Sequence, residues 1–574
     1  MRMDMQRDSN LASLRDAVFF ILFFRWWRSP SLAQPPAKFW HPSGMKRAQG
    51  RRALTCPQAP AKIWQASGVR HAAFVVALAL GGGASANIAP APLFRDNAVL
   101  QRDKPVAVWG RAEPGERVVV SFRSQEHETV ADNLGRWRVT LDAMPACAEG
   151  ASLVMRGNNT VTAANVLVGE VWLCSGQSNM EWMVKQSLNF GAESAAAKYP
   201  LIRHFWIPPV SSAFPRDEAQ GAWAVCSPGT VGDFTAVGYF FGRELFKELK
   251  VPVGLVHSSW GGTMIEAWMS EEALRAEPAW PAISKRWRET AAAYPARLAR
   301  YSSEMDAWTK EQAAAKRAGA PFTREKPREP DGAPGGRAQP AAIYNAMIAP
   351  LIPYGLRGVI WYQGEANATR YAEYRALFPA MIRQWRADFG QGDVPFYYAQ
   401  LANYERGTEW AFQREAQQCA LKLPATGQAV TIDIGESKSI HPKNKQEVGR
   451  RLALNALAKT HGRDVEYSGP EYAGVSREKG KEGNALRVSF THAAGLRTRT
   501  GTRDAALPGF EIAGVDRKFR PAVARIEGET VVVSAPGVSE PVAVRYAWAP
   551  DPAVSLYNGA GLPAAPFRSD DWER

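Results

Sequence analysis

From Val168 onward, short apolar runs alternate with helical patterns, and each run ends in small or polar residues. The runs are Val168–Cys174, Val253–His257, Val359–Tyr362, Pro395–Leu401 and Ala429–Ile434. A strand buried on both faces reads as a continuous apolar run, and its alternation with helices predicts a parallel α/β sheet. Helical periodicity fills the gaps, as over Tyr371–Phe389 and Lys443–Thr460. Open sheets of this kind place their sites at the carboxyl ends of strands, so the polar tails of the runs are where chemistry is expected.

Flanking this region the texture is β. Over 90–167, Ala107–Gly110, Arg117–Phe122 and Trp137–Leu141 read as strands, with turns at Pro114-Gly115 and Asn133–Gly135. The strand texture returns over 466–574, in Leu486–Phe490, Thr530–Ser534 and Val542–Trp548. The expected organisation is an N-terminal β module over 90–167, an α/β domain over 168–465 and a C-terminal β module over 466–574. Residues 271–340 read as an inserted helix with a Pro/Gly-rich tail, placed as a flap over the cleft.

Residues 1–86 form a basic leader. Arg70-His71, the apolar stretch Ala72–Leu80 and the small-residue site Ala84-Ser85-Ala86 have the layout of a secretory signal. That layout belongs at a chain start, so the preceding residues are read as an over-extended start, and a periplasmic or extracellular location is expected. The net charge of +14 is concentrated here: residues 1–71 hold 12 Lys/Arg against 3 Asp, leaving +5 on the remainder. No dense basic stripe survives, which argues against a nucleic-acid partner. The mostly apolar nine-residue run Phe19–Trp27 is short for a membrane span, and no stable span is expected in the mature chain. Four cysteines follow the leader and could form two disulfides in three pairings. No Cys-x-x-Cys pair or clustered His spacing points to a metal.

The strongest local signal is Gly176-Gln177-Ser178-Asn179-Met180, where an apolar strand meets a helix start. A serine there presents its hydroxyl and its own N–H to one pocket, and so suits a nucleophile that also contributes to an oxyanion hole; capping of the helix is the competing role. Of the six histidines beyond the leader, His441 stands out as the base. It follows the last apolar run, and its place before Pro442 keeps it out of the helix that Pro442 is expected to open. His257 is second choice, and His127 reads as structural. Gly262, in Ser258-Ser259-Trp260-Gly261-Gly262-Thr263, can present an N–H to substrate. Gln363, in Trp361-Tyr362-Gln363-Gly364-Glu365, offers a neutral amide donor.

These motifs, with Ile440-His441-Pro442-Lys443-Asn444-Lys445-Gln446, resemble the sialate O-acetylesterase family within the Ser-Gly-Asn-His (SGNH, GDSL-like) hydrolases. Leu93–Arg102 and Pro105–Gly110 are similar to the opening of that family's N-terminal β domain. The resemblance implies a flavodoxin-like three-layer α/β hydrolase flanked by β-sandwich-like modules, without metal or cofactor, acting on an acetylated carbohydrate. It implies Ser178 as nucleophile, His441 as base, and Gly262 and Gln363 as oxyanion donors. One position departs: Lys438 and Ser439 stand where relatives carry an Asp ahead of the histidine. The group orienting His441 is then Glu436, Asp433 or a carbonyl near Ser439, or is dispensed with in a Ser–His dyad, which is the preferred reading. Acetylated xylan or xyloglucan is the alternative substrate, and an inactive carbohydrate-binding relative the alternative of another class.

Overall fold

In the computed structural model, residues 87–480, 483–501 and 506–572 are described; the leader and signal-like segment lie outside them. The central elements run β1 (Thr160–Gly176), α1 (Ser178–Glu181), β2 (Ile202–Trp206), β3 (Ala222–Val225), α2 (Ala236–Leu249), β4 (Val253–Ser259) and α3 (Trp280–Arg317). They continue as β5 (Gly358–Tyr362), α4 (Tyr371–Phe389), β6 (Phe396–Ala399), α5 (Trp410–Gln418), β7 (Thr426–Ala429) and α6 (Lys445–Asn455).

The sheet order is β3-β2-β4-β1-β5-β6-β7, parallel throughout except for the edge strand β3. The reason these runs are mostly apolar is visible in their side chains. Val171 and Leu173 of β1, Val359 and Trp361 of β5, and Phe396 and Tyr398 of β6 enter one core with Leu377, Phe378 and Trp385 of α4. The alternate residues Trp172, Cys174, Ile360, Tyr362, Tyr397 and Ala399 enter a second core with Phe240 and Leu245 of α2 and Leu452 of α6. Both faces of the sheet are covered, and period-two alternation sorts residues between two interiors rather than between core and water. The chain leaves β1 toward β4 on one side and later returns to β5 on the other. This reversal makes the end of β1 a topological switch point, where a crevice opens outside the strand ends.

β1 is a single strand of 17 residues. Its first half pairs antiparallel with Cys147–Arg156 in the N-terminal β region, and its fully buried second half is the middle of the parallel sheet. The backbone therefore passes from the one into the other without a linker at 168. On the N-terminal side, Val106–Arg111 and Arg136–Leu141 pair in a second small sheet.

Two elements differ from expectation. The apolar run Ala429–Ile434 is strand only up to Ala429, because Val430 and Ile432 turn away into the core of the C-terminal region, among Val488, Ile512 and Tyr546. Its apolar residues serve two interiors in succession. Pro442 does not open the last helix; Asn444 caps it, its side chain accepting from Glu447 N–H at 3.2 Å, and α6 begins at Lys445. The cysteines Cys147, Cys174, Cys226 and Cys419 are free, so the two allowed disulfides are not formed.

The C-terminal strands build two four-stranded sheets over their own core. Arg414 of α5 ties this region to the α/β part. Fully buried, it donates to the carbonyls of Leu401 (2.8 Å), Ala402 (2.9 Å), Ala549 (2.7 Å) and Pro550 (2.8 Å). Burial lowers its pKa to about 9. Arg414→Met would strand the Leu401 and Ala549 carbonyls without donors, while Ala402 O keeps Trp410 Nε1 and Pro550 O keeps the Tyr404 N–H. Each stranded group costs about 1–3 kcal/mol. We expect a fall in unfolding free energy on the order of 4 kcal/mol, read by urea denaturation; a change within about 0.5 kcal/mol would refute this account of the junction.

Candidate active site

Gly176, the last residue of β1, has φ +138° and sits against β5 so closely that a Cβ would lie 2.2 Å from the Tyr362 carbonyl oxygen. Only glycine permits that approach. The Gln177 N–H donates to the same carbonyl at 2.9 Å, and α1 opens at Ser178. The nucleophile candidate therefore stands at the carboxyl end of the strand, at the switch point.

His441 comes from the loop between β7 and α6, and its Nε2 lies 2.8 Å from Ser178 Oγ. Trp182 stacks on the imidazole, with centroids 5.3 Å apart and planes 22° apart. The ring's pKa is lowered, first by burial and second by the charge of Lys445, which keeps the imidazole neutral and able to accept a proton at neutral pH. The backbone on either side of the ring is held by Ser439, whose hydroxyl donates to His441 O and accepts from His441 N–H, both at 3.2 Å. Neither candidate carboxylate reaches the imidazole. Asp433 is held bidentately by Arg451, at 2.6 and 2.8 Å, and Glu436 accepts from the Lys443 N–H at 2.8 Å.

The Trp260–Thr263 turn closes the site from the end of β4. Gly261 N–H donates to Glu181 Oε2 at 2.7 Å, and a Cβ on Gly261 would stand 3.1 Å from that of Ser178. This contact draws the turn onto the serine. Gly262, with φ +71°, then turns the backbone over; among the described residues its N–H, like that of Ser178, has no hydrogen-bond partner. Gln363 is placed differently from a free donor. Fully buried, it spends its amide hydrogens on Thr263 O (3.2 Å) and Asn367 Oδ1 (2.8 Å), so it braces the turn that carries Gly262.

The second-choice pair, His257 and Ser259, is also in contact, at 2.6 Å, but both residues are 1% exposed. Burial depresses His257 to about 3, and the neighbouring His204 also lies well below its ordinary value. No substrate reaches this pair, and its role is structural. Both histidines bind a proton more readily in the unfolded chain than in the folded one. Their contribution to stability is therefore constant above about pH 6.5 and falls as pH drops below it, for His257 down toward about 3, at about 1.4 kcal/mol per pH unit for each histidine fully in its window. Denaturation midpoints followed from pH 7 to 4 check this, and His257→Gln should flatten the slope.

The inserted segment reaches this turn. Among α3 residues Ile283 alone is buried, and beyond the helix the tail returns over 328–337. Arg337 donates to Gly261 O at 3.3 Å, and a cleft of about 680 Å³ lies between the tail and Trp260 and Ser211. Among the described residues no group of three His, Cys, Asp or Glu could hold a metal ion, and no helix is long and apolar enough to cross a membrane.

Asn179, Glu365 and Lys445 complete the site from within, and the motifs name them without giving them a role. The signal was their spacing: Asn179 adjoins Ser178, Glu365 follows Gln363 by two, and Lys445 follows His441 by four.

Residues 337–458 match the family described as "Carbohydrate esterase, sialic acid-specific acetylesterase". Over 422 residues the chain is 32% identical to a sialate O-acetylesterase of Rattus norvegicus, covering 66% of this chain and 74% of the relative. Over 424 residues it is 30% identical to that of Homo sapiens, covering 66% and 72%. The crystal structure of a carbohydrate acetylesterase from Xanthomonas citri aligns with a TM-score of 0.71 and 38% identity, covering 85% of this chain and all of that one. A strand-end serine paired with histidine, in a chain with these relatives, identifies an esterase: the chain belongs to the sialate O-acetylesterase family.

Proposed function

We propose that the protein is an exported carbohydrate O-acetylesterase that removes acetyl esters from sialic acids through a serine acyl-enzyme. The observation that carries this reading is the 2.8 Å contact between His441 Nε2 and Ser178 Oγ at the switch point. His441 takes the hydroxyl proton as Oγ attacks the acetyl carbonyl carbon. The N–H groups of Ser178 and Gly262 receive the oxyanion, with Gln363 holding the Gly262 turn in place. The tetrahedral intermediate collapses, the sugar alkoxide leaves with the proton from His441, and an acetyl ester remains on Ser178. Water, deprotonated by His441, then attacks the acetyl carbonyl; acetate is released as the Ser178 Oγ leaves and takes the proton back from His441. With Asp433 and Glu436 held elsewhere, the chemistry rests on a Ser–His dyad.

The sheet order supports the flavodoxin-like SGNH layout, since the strands β4-β1-β5-β6-β7 follow the 2-1-3-4-5 pattern. The signal-like residues 70–86 support a periplasmic or extracellular location. Acetate release from a panel of O-acetylated sialic acids, acetylated xylo-oligosaccharides and xyloglucan tests the substrate. Fastest release from 9-O-acetyl sialic acid is expected. Faster release from the plant oligosaccharides would transfer the assignment to them, and no release from any would overturn the enzymatic reading.

A further inference from the structure

Directly behind the Ser178–His441 pair lies a buried polar cluster that the acyl-transfer steps do not use. The Asn179 carboxamide is its centre. Asn179 Nδ2 donates to Glu365 Oε1 at 2.5 Å and to the Ile440 carbonyl at 3.0 Å, while Asn179 Oδ1 accepts from the Lys445 ammonium. Lys445 is fully buried, between the rings of Tyr362 (5.2 Å) and Trp182 (5.8 Å). Glu365 Oε2 is buried without a hydrogen-bond partner. A buried ammonium and a buried carboxylate are each costly to keep, and here they are joined through a neutral amide rather than by direct contact.

The arrangement has one mechanical result. A cation on the carbonyl side and an anion on the amino side fix the direction of the Asn179 amide, which could otherwise be turned over at little cost. Its second N–H then grips the carbonyl of Ile440, the residue before His441, while Asn179 itself follows Ser178 in α1. A single side chain thus spans from the nucleophile's neighbour to the base's neighbour. We propose that Asn179, oriented by Lys445 and Glu365, is a positioning residue that keeps His441 in register with Ser178, with Lys445 also tuning the base through its charge. This inference rests on the assignment of Ser178 and His441 as nucleophile and base.

The electrostatics agree with the geometry. The ionisable groups facing this region are Lys445 from α6, Glu365 from the segment after β5, Glu436 from the loop before His441 and Tyr362 from β5, while Glu181 of α1 is turned to the Gly261 N–H. Burial lowers the Lys445 ammonium to about 7, against the opposing pull of Glu365 and Glu436, and burial raises Glu365. Lys445 is therefore charged on the acid side of neutrality, where His441 titrates, and its charge there opposes protonation of the imidazole.

Two variants test this with the full chain. Lys445→Met removes charge and donor at similar volume. Asn179→Asp keeps the acceptor for Lys445 but loses both N–H donors. For each, kcat and KM on an acetyl ester are measured from pH 4.5 to 8.5, with thermal melts to identify which variant folds like the parent. Displacement of a base by about 1 Å costs on the order of 100-fold, so a fall in kcat of about 100-fold with KM within about threefold is expected. In Lys445→Met the acid limb of kcat/KM should also move to higher pH, since the imidazole loses a neighbour that opposed its protonation. A residue that merely filled space would leave the acid limb unmoved. Parent-like kcat and acid limb in a variant that melts like the parent would overturn the proposal. Should Ser178→Ala and His441→Ala both keep parental activity, the underlying assignment fails instead, whatever the other variants show.

Discussion

Replacing Ser178 by alanine is expected to lower kcat for acetyl-ester hydrolysis at least ~1000-fold, and His441→Ala to do the same, on the pattern of knocked-out serine nucleophiles and their bases. The double variant should be little worse than either single one, because the two side chains act on one proton at one 2.8 Å contact. Binding should survive, since neither group is needed to hold the sugar before attack. The parent's kcat/KM should fall on the acid side with an apparent pKa below the ordinary histidine value, the direction that burial and Lys445 impose on His441. Steady-state kinetics on p-nitrophenyl acetate and an acetylated sugar give both readouts. Near-parental turnover in Ser178→Ala would remove the nucleophile from the account.

Gly176→Ala should be as damaging by a different route. At φ +138° an alanine is strained wherever it sits, and here its methyl group would meet the Tyr362 carbonyl at 2.2 Å. The atoms that must yield are backbone, in the middle of a sheet whose neighbouring side chains are fully buried, so no side-chain rotation relieves the clash. We expect a loss of about 4 kcal/mol or more, seen as poor soluble yield and an early denaturation midpoint, with activity lost alongside. The same crowding gives the site its precision: β1 and β5 touch at their ends, and the serine emerges two residues later. An alanine variant that melts like the parent would show that this junction is more plastic than its geometry states.

The architecture was legible where one physical rule governed a whole segment. The runs at 253–257 and 359–362 are strands because both sheet faces are covered, and the helix read over Tyr371–Phe389 has those same bounds in α4. Legibility failed where one stretch served two masters. Ala429–Ile434 reads as one strand, yet Val430 and Ile432 leave the sheet to fill the C-terminal core, a partnership no local period encodes. At the site, the strand-end rule led to Ser178, to His441 and to the Gly262 turn. It did not tell a free amide from a spent one, and Gln363 needed its partners Thr263 and Asn367 to be read as a brace. Lys445 was hidden for a similar reason: a lysine in the first turn of a helix ordinarily points to water, and only packing against Tyr362 and Trp182 reveals a buried one.

The most direct test of the acyl-enzyme account is to trap the intermediate. The enzyme is mixed with an O-acetylated sugar, quenched in acid within the first turnovers, digested and mapped by mass spectrometry. The account predicts one acetyl group on the peptide that contains Ser178, absent from the Ser178→Ala variant and removed when the parent is left to turn over before quenching. Multiple turnovers by an enzyme that never carries acetyl on Ser178, or an acetyl group found on another side chain at turnover-competent rates, would contradict it.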